Sequence, residues 1–325
     1  MKLSPSRRPA AWTWLLAPLA AFGFSPAADA EPPAPSGTAA IVRAAKANKE
    51  AGAPGEKWVR ILADKKGRPL AMQTAVVRYV KADDVEEGKS PGDYKQYVDL
   101  VGAVHIGDLA YYRELNRRFK KYDAVLYELV APEGTEVPRG RGTSNAHPLG
   151  ALQNGMKSML EVEHQLEQID YTGDNMVHAD LSPDEFFKSM DKRDEGFAQM
   201  YFRMLGASMA QQSQAAAKGE SAEVDLMAAM FSKDRPRMLK IAMAKQFEGM
   251  ETLMVGLSGP DGSTLITERN NRALDVLEDQ LGDAVNRLAI FYGAGHLSEM
   301  NDQMAERFEM KPVSVEWLEA WDLRE

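Results

Sequence analysis

The chain contains no cysteine among its 325 residues, and it has only five histidines. Without cysteine it can form neither a disulfide nor a thiolate metal site. Any metal would therefore be held by histidine, carboxylate or water. Acidic residues outnumber basic ones, which leaves a net charge of −9 at pH 7. This excess disfavours nucleic acids and anionic membranes as partners, because both are negatively charged.

Long apolar runs are also scarce, and the one that stands out lies at the amino terminus. A basic start, MKLSPSRRPA, precedes the apolar segment AWTWLLAPLAAFGF and the small residues SPAADA. This pattern predicts a signal peptide over residues 1–30, cleaved after Ala30, and export to the periplasm or the extracellular medium. That segment carries a net charge of +2, so the processed chain would carry −11. No later run is long enough for a bilayer, and we expect no stable membrane insertion after cleavage.

The remaining chain divides by composition into a linker and a folded domain. Residues 31–56 are rich in proline, alanine and glycine, which predicts a flexible linker, and residues 57–325 form the domain. Within about 149–256 the sequence is helical in pattern and holds thirteen of the eighteen methionines. This composition predicts a large Met-rich helical insertion, in which methionine supplies either an adaptable core or a groove for an apolar peptide.

The rest of the domain shows an α/β pattern. The apolar runs YVDLVGAVH and DAVLYELV enclose an amphipathic helical segment, which Asp108 is expected to cap. The length of this stretch predicts a βαβ unit with parallel strands. Near the carboxyl terminus, a strand ending in FYGAGH, a helix and a closing strand repeat the same order. We therefore predict a central mixed sheet built from two similar βαβ-like units.

Two of the five histidines follow predicted strands in matching contexts. Gly102-Ala103-Val104-His105 and Gly293-Ala294-Gly295-His296 both have the form G-x-x-H. Glycine tolerates the turn and the close approach that a chain needs as it leaves a buried strand. Glu128 lies at the end of the second strand of the first unit. Because parallel strands end at one edge of the sheet, His105, Glu128 and His296 are expected to meet there.

Two histidines and one carboxylate are a common set of ligands for an open metal site. A metal held by them would lower the pKa of a bound water and polarise a substrate carbonyl. The same geometry also allows a metal-free pair of histidine and glutamate for acid–base catalysis. His178-Ala179-Asp180, just before a predicted helix, is a further candidate for the site.

Four short motifs together resemble the TraB/PrgY/Tiki (GumN-like) family, within the superfamily of erythromycin esterase and the haem-binding ChaN proteins. They are LVGAVHIGD, AVLYELV, ERNNRAL and FYGAGHLSEM, and the resemblance covers about residues 58–320. The resemblance implies that His105, Glu128 and His296 bind a divalent metal such as manganese, cobalt or zinc, as Tiki members do for peptide cleavage. It also implies catalytic roles for Glu128, Arg269 and Asn270. The last two would orient the substrate or stabilise an oxyanion.

Two functions are compatible with these features. The first is an exported metal-dependent hydrolase that acts on a peptide or another small amide or ester, with a metal-bound water as nucleophile. The second is a non-catalytic binding protein, whose helical insertion sequesters a peptide, haem or a metal ion. The enzyme would lose turnover when Glu128 becomes glutamine. The binding protein would lose affinity when methionines of the insertion are changed.

Overall fold

A mixed β-sheet forms the centre of the computed structural model, with seven strands in the described part of the chain. These residues all fall in one compact unit, Val42–Glu325. The predicted signal peptide, most of the linker and much of the predicted insertion lie outside them. The structure describes residues 53–132, 134, 135, 137, 160–196, 222–248, 261–282 and 285–324.

Four strands of the sheet are parallel, in the order β3 (Tyr97–Ala103), β8 (Arg287–Gly293), β5 (Ala124–Tyr127) and β7 (Met176–His178). This order confirms the predicted α/β class with a mixed sheet, and it confirms that β3 and β5 run parallel. The long strand β2 (Pro69–Lys81) adds the antiparallel part of the sheet. It pairs with β3, with β1 (Val59–Ala63) and with β9 (Met310–Asp322). The two-residue strands β4 (Ile106–Gly107) and β6 (Glu163–His164) pair with each other in a separate sheet.

Helices connect the parallel strands and pack against the sheet. The π-helical turn Thr264–Glu268 leads into the helix that carries Arg269 and Asn270 at its start. In the helix after β8, Met300, Met304 and Phe308 are buried on one stripe, as their spacing predicts. The helices are α1 (Leu109–Phe119), α2 (Gln165–Gln168), α3 (Pro183–Lys192), α4 (Ala222–Met230), α5 (Arg235–Glu248), α6 (Arg269–Gly282) and α7 (Leu297–Phe308).

Asp108 occupies the position before α1, but its side chain makes no capping hydrogen bond. Its Oδ1 accepts instead from Lys240 Nζ at 2.8 Å, and its Oδ2 accepts from the backbone N–H of Asp322 at 2.6 Å. The prediction of a capping role is therefore wrong, because a buried lysine and the end of β9 compete for the carboxylate. These contacts and a bond from Trp321 Nε1 to the carbonyl of Ile106 attach β9 to the segment after His105.

Only parts of the predicted insertion can be compared with the structure. Its described residues include α3, α4 and α5, together with the short elements β6, α2 and β7. One of them, β7, pairs with β5 and belongs to the central sheet, so this part of the segment is not a helical insertion. The extent of the rest stays a prediction. Within the described ranges, no helix has both the length and the apolar character needed to cross a bilayer.

Candidate functional site

Glu128, Arg269 and His296 meet at the carboxyl edge of the parallel strands. Glu128 follows β5, Arg269 begins α6, and His296 ends the short helical turn after β8. Arg269 Nη2 donates to Glu128 Oε1 at 2.6 Å, and Arg269 Nη1 donates to His296 Nε2 at 3.5 Å. His296 Nε2 lies 3.7 Å from Glu128 Oε1. All three side chains are buried. Through these contacts, three distant segments of the chain form one cluster.

Asp180 is the second carboxylate that contacts Arg269. Its Oδ1 accepts from Arg269 Nε at 2.9 Å, and its Oδ2 accepts from Nη2 at 2.6 Å. Burial alone would lower the pKa of Arg269, but the charges of Glu128 and Asp180 raise it above its usual range. The guanidinium is therefore a permanent cation, fixed in orientation by two buried carboxylates.

Asn270 determines which nitrogen of His296 carries the proton. Asn270 Nδ2 donates to the backbone carbonyl of His296 at 3.2 Å, so its Oδ1 is the atom that faces the ring. His296 Nδ1 lies 2.7 Å from that oxygen and must donate to it, which leaves the lone pair on Nε2. Burial lowers the pKa of His296 to about 4, although the charge of Glu128 opposes this effect. The ring is thus neutral at pH 7, with Nε2 directed into the cluster.

The carboxylate of Glu128 is held in its ionised form. Burial alone would raise its pKa, but Arg269 and the histidines of the site lower it well below the usual range. Glu128 Oε2 also accepts a hydrogen bond from the backbone N–H of Gly293 at 2.7 Å, and this bond lowers the pKa of Glu128 further. A carboxylate with so low a pKa is a weak general base. It is better suited to hold Arg269 or to bind a cation.

His105 differs from His296 in that its side chain is exposed to solvent. It follows β3 at the same edge of the sheet, and its charge influences the pKa values of both Glu128 and His296. Its backbone carbonyl accepts from the N–H of Gln165 at 2.9 Å. His105 is therefore the member of the predicted set whose side chain is open to solvent.

The predicted metal ligands suit a divalent ion in residue type and in protonation state, although Arg269 Nη1 contacts the lone pair of His296 Nε2 that would bind the ion. His296 is neutral, Glu128 is ionised, and the bond from His296 Nδ1 to Asn270 resembles the support that ligating histidines receive. Glu128 Oε1 also has a second lone pair beside the one that accepts from Arg269. Across the described residues, however, no three His, Asp or Glu side chains are grouped so that they could hold a metal ion. The metal stays a prediction.

The tripeptide His178-Ala179-Asp180 joins the site through one residue. Asp180 contacts Arg269, whereas His178 Nε2 bonds to the carbonyl of Leu129 at 2.6 Å. The hydroxyl of Tyr292 donates to the carbonyl of Ala179 at 2.5 Å and so fixes the backbone beside Asp180. The position of Asp180, two residues after the end of a parallel strand, is the signal by which the sequence could have indicated it.

The first glycine of each G-x-x-H motif is required for close packing. Neither Gly102 nor Gly293 has a positive φ. A Cβ at Gly102 would lie 3.2 Å from the carbonyl of Ala75, and one at Gly293 would lie 3.2 Å from Glu128 Oε2. The expected role in close approach is therefore confirmed, whereas an unusual backbone conformation is not needed at either position.

Gly293→Ala should displace the Glu128 carboxylate and lower the unfolding free energy by about 1 kcal/mol, because the added methyl group overfills a packed site. Gly282→Ala is the matched control. It lies at the end of α6, where a Cβ meets nothing within 4 Å, and the change should leave stability unchanged or increase it. Urea unfolding of both variants measures the difference. Equal stability of the two variants would contradict the close contact at Gly293.

Comparisons with known proteins identify no relative of this chain. No protein-family model, curated protein or solved structure matches the chain. The case for a function therefore depends on the side chains of the cluster.

Proposed function

We propose that the chain is an exported hydrolase of amide or ester bonds, peptides among them, which acts through His105, Glu128 and His296. The observation that carries this proposal is the buried cluster of an arginine, a carboxylate and a neutral histidine beside an exposed histidine. Fixed charges and a solvent-accessible base at one sheet edge are what the addition of water to a carbonyl group requires.

Each residue has a distinct role in the proposed reaction. His105 accepts a proton from the attacking water, whose oxygen bonds to the carbonyl carbon. Arg269 stabilises the negative charge that develops on the carbonyl oxygen. The C–N or C–O bond then breaks, and the proton on His105 passes to the leaving group. Glu128 keeps Arg269 in position. His296, held by Asn270 in the tautomer described above, accepts from Arg269 Nη1 and helps to orient the guanidinium.

The family resemblance adds a divalent metal, such as manganese, cobalt or zinc, which would be held by His105, Glu128 and His296. For the ion to bind, Arg269 Nη1 would have to release the lone pair of His296 Nε2 that it contacts at 3.5 Å. When bound, such an ion supplies a water of lowered pKa and polarises the substrate carbonyl. Glu128 and His296 support this possibility because both are already in the deprotonated state that a metal ligand needs.

The finer architecture and the family are part of the same proposal. We infer two similar units, because β3–α1–β5 and β8–α7–β9 both run strand, helix, strand with G-x-x-H after the first strand. A Met-rich helical insertion separates them. Together with the four motifs, this order supports membership of the TraB/PrgY/Tiki family. The signal-peptide pattern of residues 1–30 supports export.

The test is to replace His105 and His296 together by alanine and to measure metal content and the cleavage of a panel of peptides and esters. We expect the variant to fold and to lose turnover. If the unaltered chain binds about one divalent ion per chain, the variant should lose that ion as well. His178→Ala is the control, since its ring bonds to Leu129 outside the cluster. Turnover that resists chelators but needs His105 would support the metal-free form. Absence of both metal and turnover in the unaltered chain would refute the hydrolase.

The second candidate is a binding protein that sequesters a peptide, haem or a metal ion. Exposed apolar side chains in the described part of the predicted insertion favour it: Met227 is 56% exposed, Met230 37% and Phe231 83%. Polar replacements of Met227 and Phe231 would lower affinity in a binding protein without any turnover. In the hydrolase, replacement of His105 would lower turnover more than the replacements of Met227 and Phe231 do.

A further inference from the structure

Gln165 and Tyr171 form a buried polar pair outside the cluster described above. Gln165 Nε2 donates to the hydroxyl of Tyr171 at 2.9 Å, and the two residues are 4% and 7% exposed. Gln165 Oε1 is buried and has no hydrogen-bond partner in the described part of the chain. Leaving such an acceptor unsatisfied costs about 1–3 kcal/mol, so a partner is expected for it.

The pair contacts two neighbours of the cluster. The backbone N–H of Gln165 donates to the carbonyl of His105 at 2.9 Å. The ring of Tyr171 packs against Tyr127, with ring centroids 4.9 Å apart, and Tyr127 directly precedes Glu128. Burial, assisted by the charge of Glu128, raises the pKa of the Tyr171 phenol, so it remains a protonated donor at neutral pH. The unsatisfied oxygen therefore belongs to a residue adjacent to the proposed reaction centre.

The pair offers one hydrogen-bond donor and one acceptor. While Gln165 Nε2 donates to the phenol oxygen, the phenol proton is available to donate and Gln165 Oε1 is available to accept. If the amide is turned around, the phenol donates to Gln165 Oε1, and the pair still offers an N–H donor and the phenol oxygen as acceptor. A peptide group has the complementary arrangement, with a C=O that accepts and an N–H that donates. An ester has the C=O but lacks the donor.

We propose that Gln165 and Tyr171 form a subsite for a peptide group of the substrate adjacent to the bond that is cleaved. The subsite rests on the proposed hydrolase function, which already includes peptides among its substrates. Tyr171 donates to the carbonyl of that peptide group, and Gln165 Oε1 accepts its N–H. The two contacts position the neighbouring bond beside His105.

The test uses two probes with the same scissile bond. One is a capped tripeptide, and the other is the depsipeptide in which the N–H of the adjacent peptide group is replaced by oxygen. The full-length chain should favour the tripeptide by about tenfold or more in kcat/KM, and in Kd measured by calorimetry, because the ester leaves Gln165 Oε1 unpaired. Gln165→Leu should remove this preference. Tyr171→Phe, which keeps the ring against Tyr127, should weaken both probes alike.

Tyr122→Phe is the matched control. It also removes a buried phenol, one that donates to Asp99 Oδ2 at 2.7 Å near the amino ends of β3 and β5. Both the preference for the tripeptide and the affinity for each probe should survive this change. If Tyr122→Phe weakens both probes as much as Tyr171→Phe does, the effect of Tyr171→Phe reflects general loosening of the fold and the role of Tyr171 in the subsite is overturned.

The outcomes separate this inference from the hydrolase proposal. Selective binding of the tripeptide without any turnover would refute the hydrolase and support the subsite. Turnover with equal kcat/KM and equal Kd for the two probes would support the hydrolase and overturn the subsite. Water would then be the partner of Gln165 Oε1. A preference that persists in Gln165→Leu, or neither binding nor turnover of either probe, would also overturn the subsite.

Discussion

Replacing Arg269 with methionine should lower the free energy of unfolding by about 3–5 kcal/mol, because the change leaves buried carboxylates without their cation. Glu128 and Asp180 are both buried, and Arg269 donates to each of them at 2.6 Å. Urea unfolding at pH 7, followed by tryptophan fluorescence, measures the loss. Asp180→Asn in the same chain should recover part of it, since one uncompensated negative charge is then removed.

Two further variants define the cause of this loss. Arg287→Met breaks an exposed ion pair with Asp123, so the unfolding midpoint should hardly change. Arg269→Lys keeps the charge but cannot make the forked bonds to Glu128 and Asp180, so its stability should lie between the unaltered chain and Arg269→Met. If Arg269→Met were no less stable than Arg287→Met, the buried cluster would not exist as described.

The second large effect is a loss of stability in mild acid. The pKa of His296 is about 4 in the folded chain and near 6.5 in the unfolded chain. Between these values the unfolded state binds the proton and the folded state does not, so stability falls as the pH is lowered. Over the whole interval the loss is roughly 3 kcal/mol from this one residue. Glu128 adds to the loss at lower pH. The stability from its depressed folded pKa is fully present above the unfolded value, about 4.3, and is lost progressively as the pH falls below that value.

Urea unfolding of the unaltered chain and of His296→Gln at several pH values between 4.5 and 8 checks this prediction. A chelator is included so that no metal contributes to the stability of the folded state. The variant is expected to be less stable at pH 8, but the difference from the unaltered chain should narrow as the pH falls below 6.5. A constant difference across this range would show that His296 is not buried in its neutral form.

Much of the central sheet was predictable because its signals are local. The apolar runs that end before His105 and at Glu128 identify buried strands, and the stripe of Met300, Met304 and Phe308 identifies a helix face. The parallel rule for βαβ units then places His105 and Glu128 at one edge. Asp108 failed as a predicted cap because Lys240, 132 residues away, takes part of its carboxylate.

By itself, the sequence determined the α/β pattern, the two G-x-x-H motifs and the residues expected at the sheet edge. Only the tertiary structure decided what those residues are in chemical terms. His105 and His296 have the same local motif, yet one is exposed and the other is buried and neutral, since Asn270 and Arg269 pack onto only one of them. The contact of Arg269 with Asp180, 89 residues away, likewise has no local signal. Burial and charge pairing depend on which distant segments meet, and these properties set the pKa values on which the proposed chemistry depends.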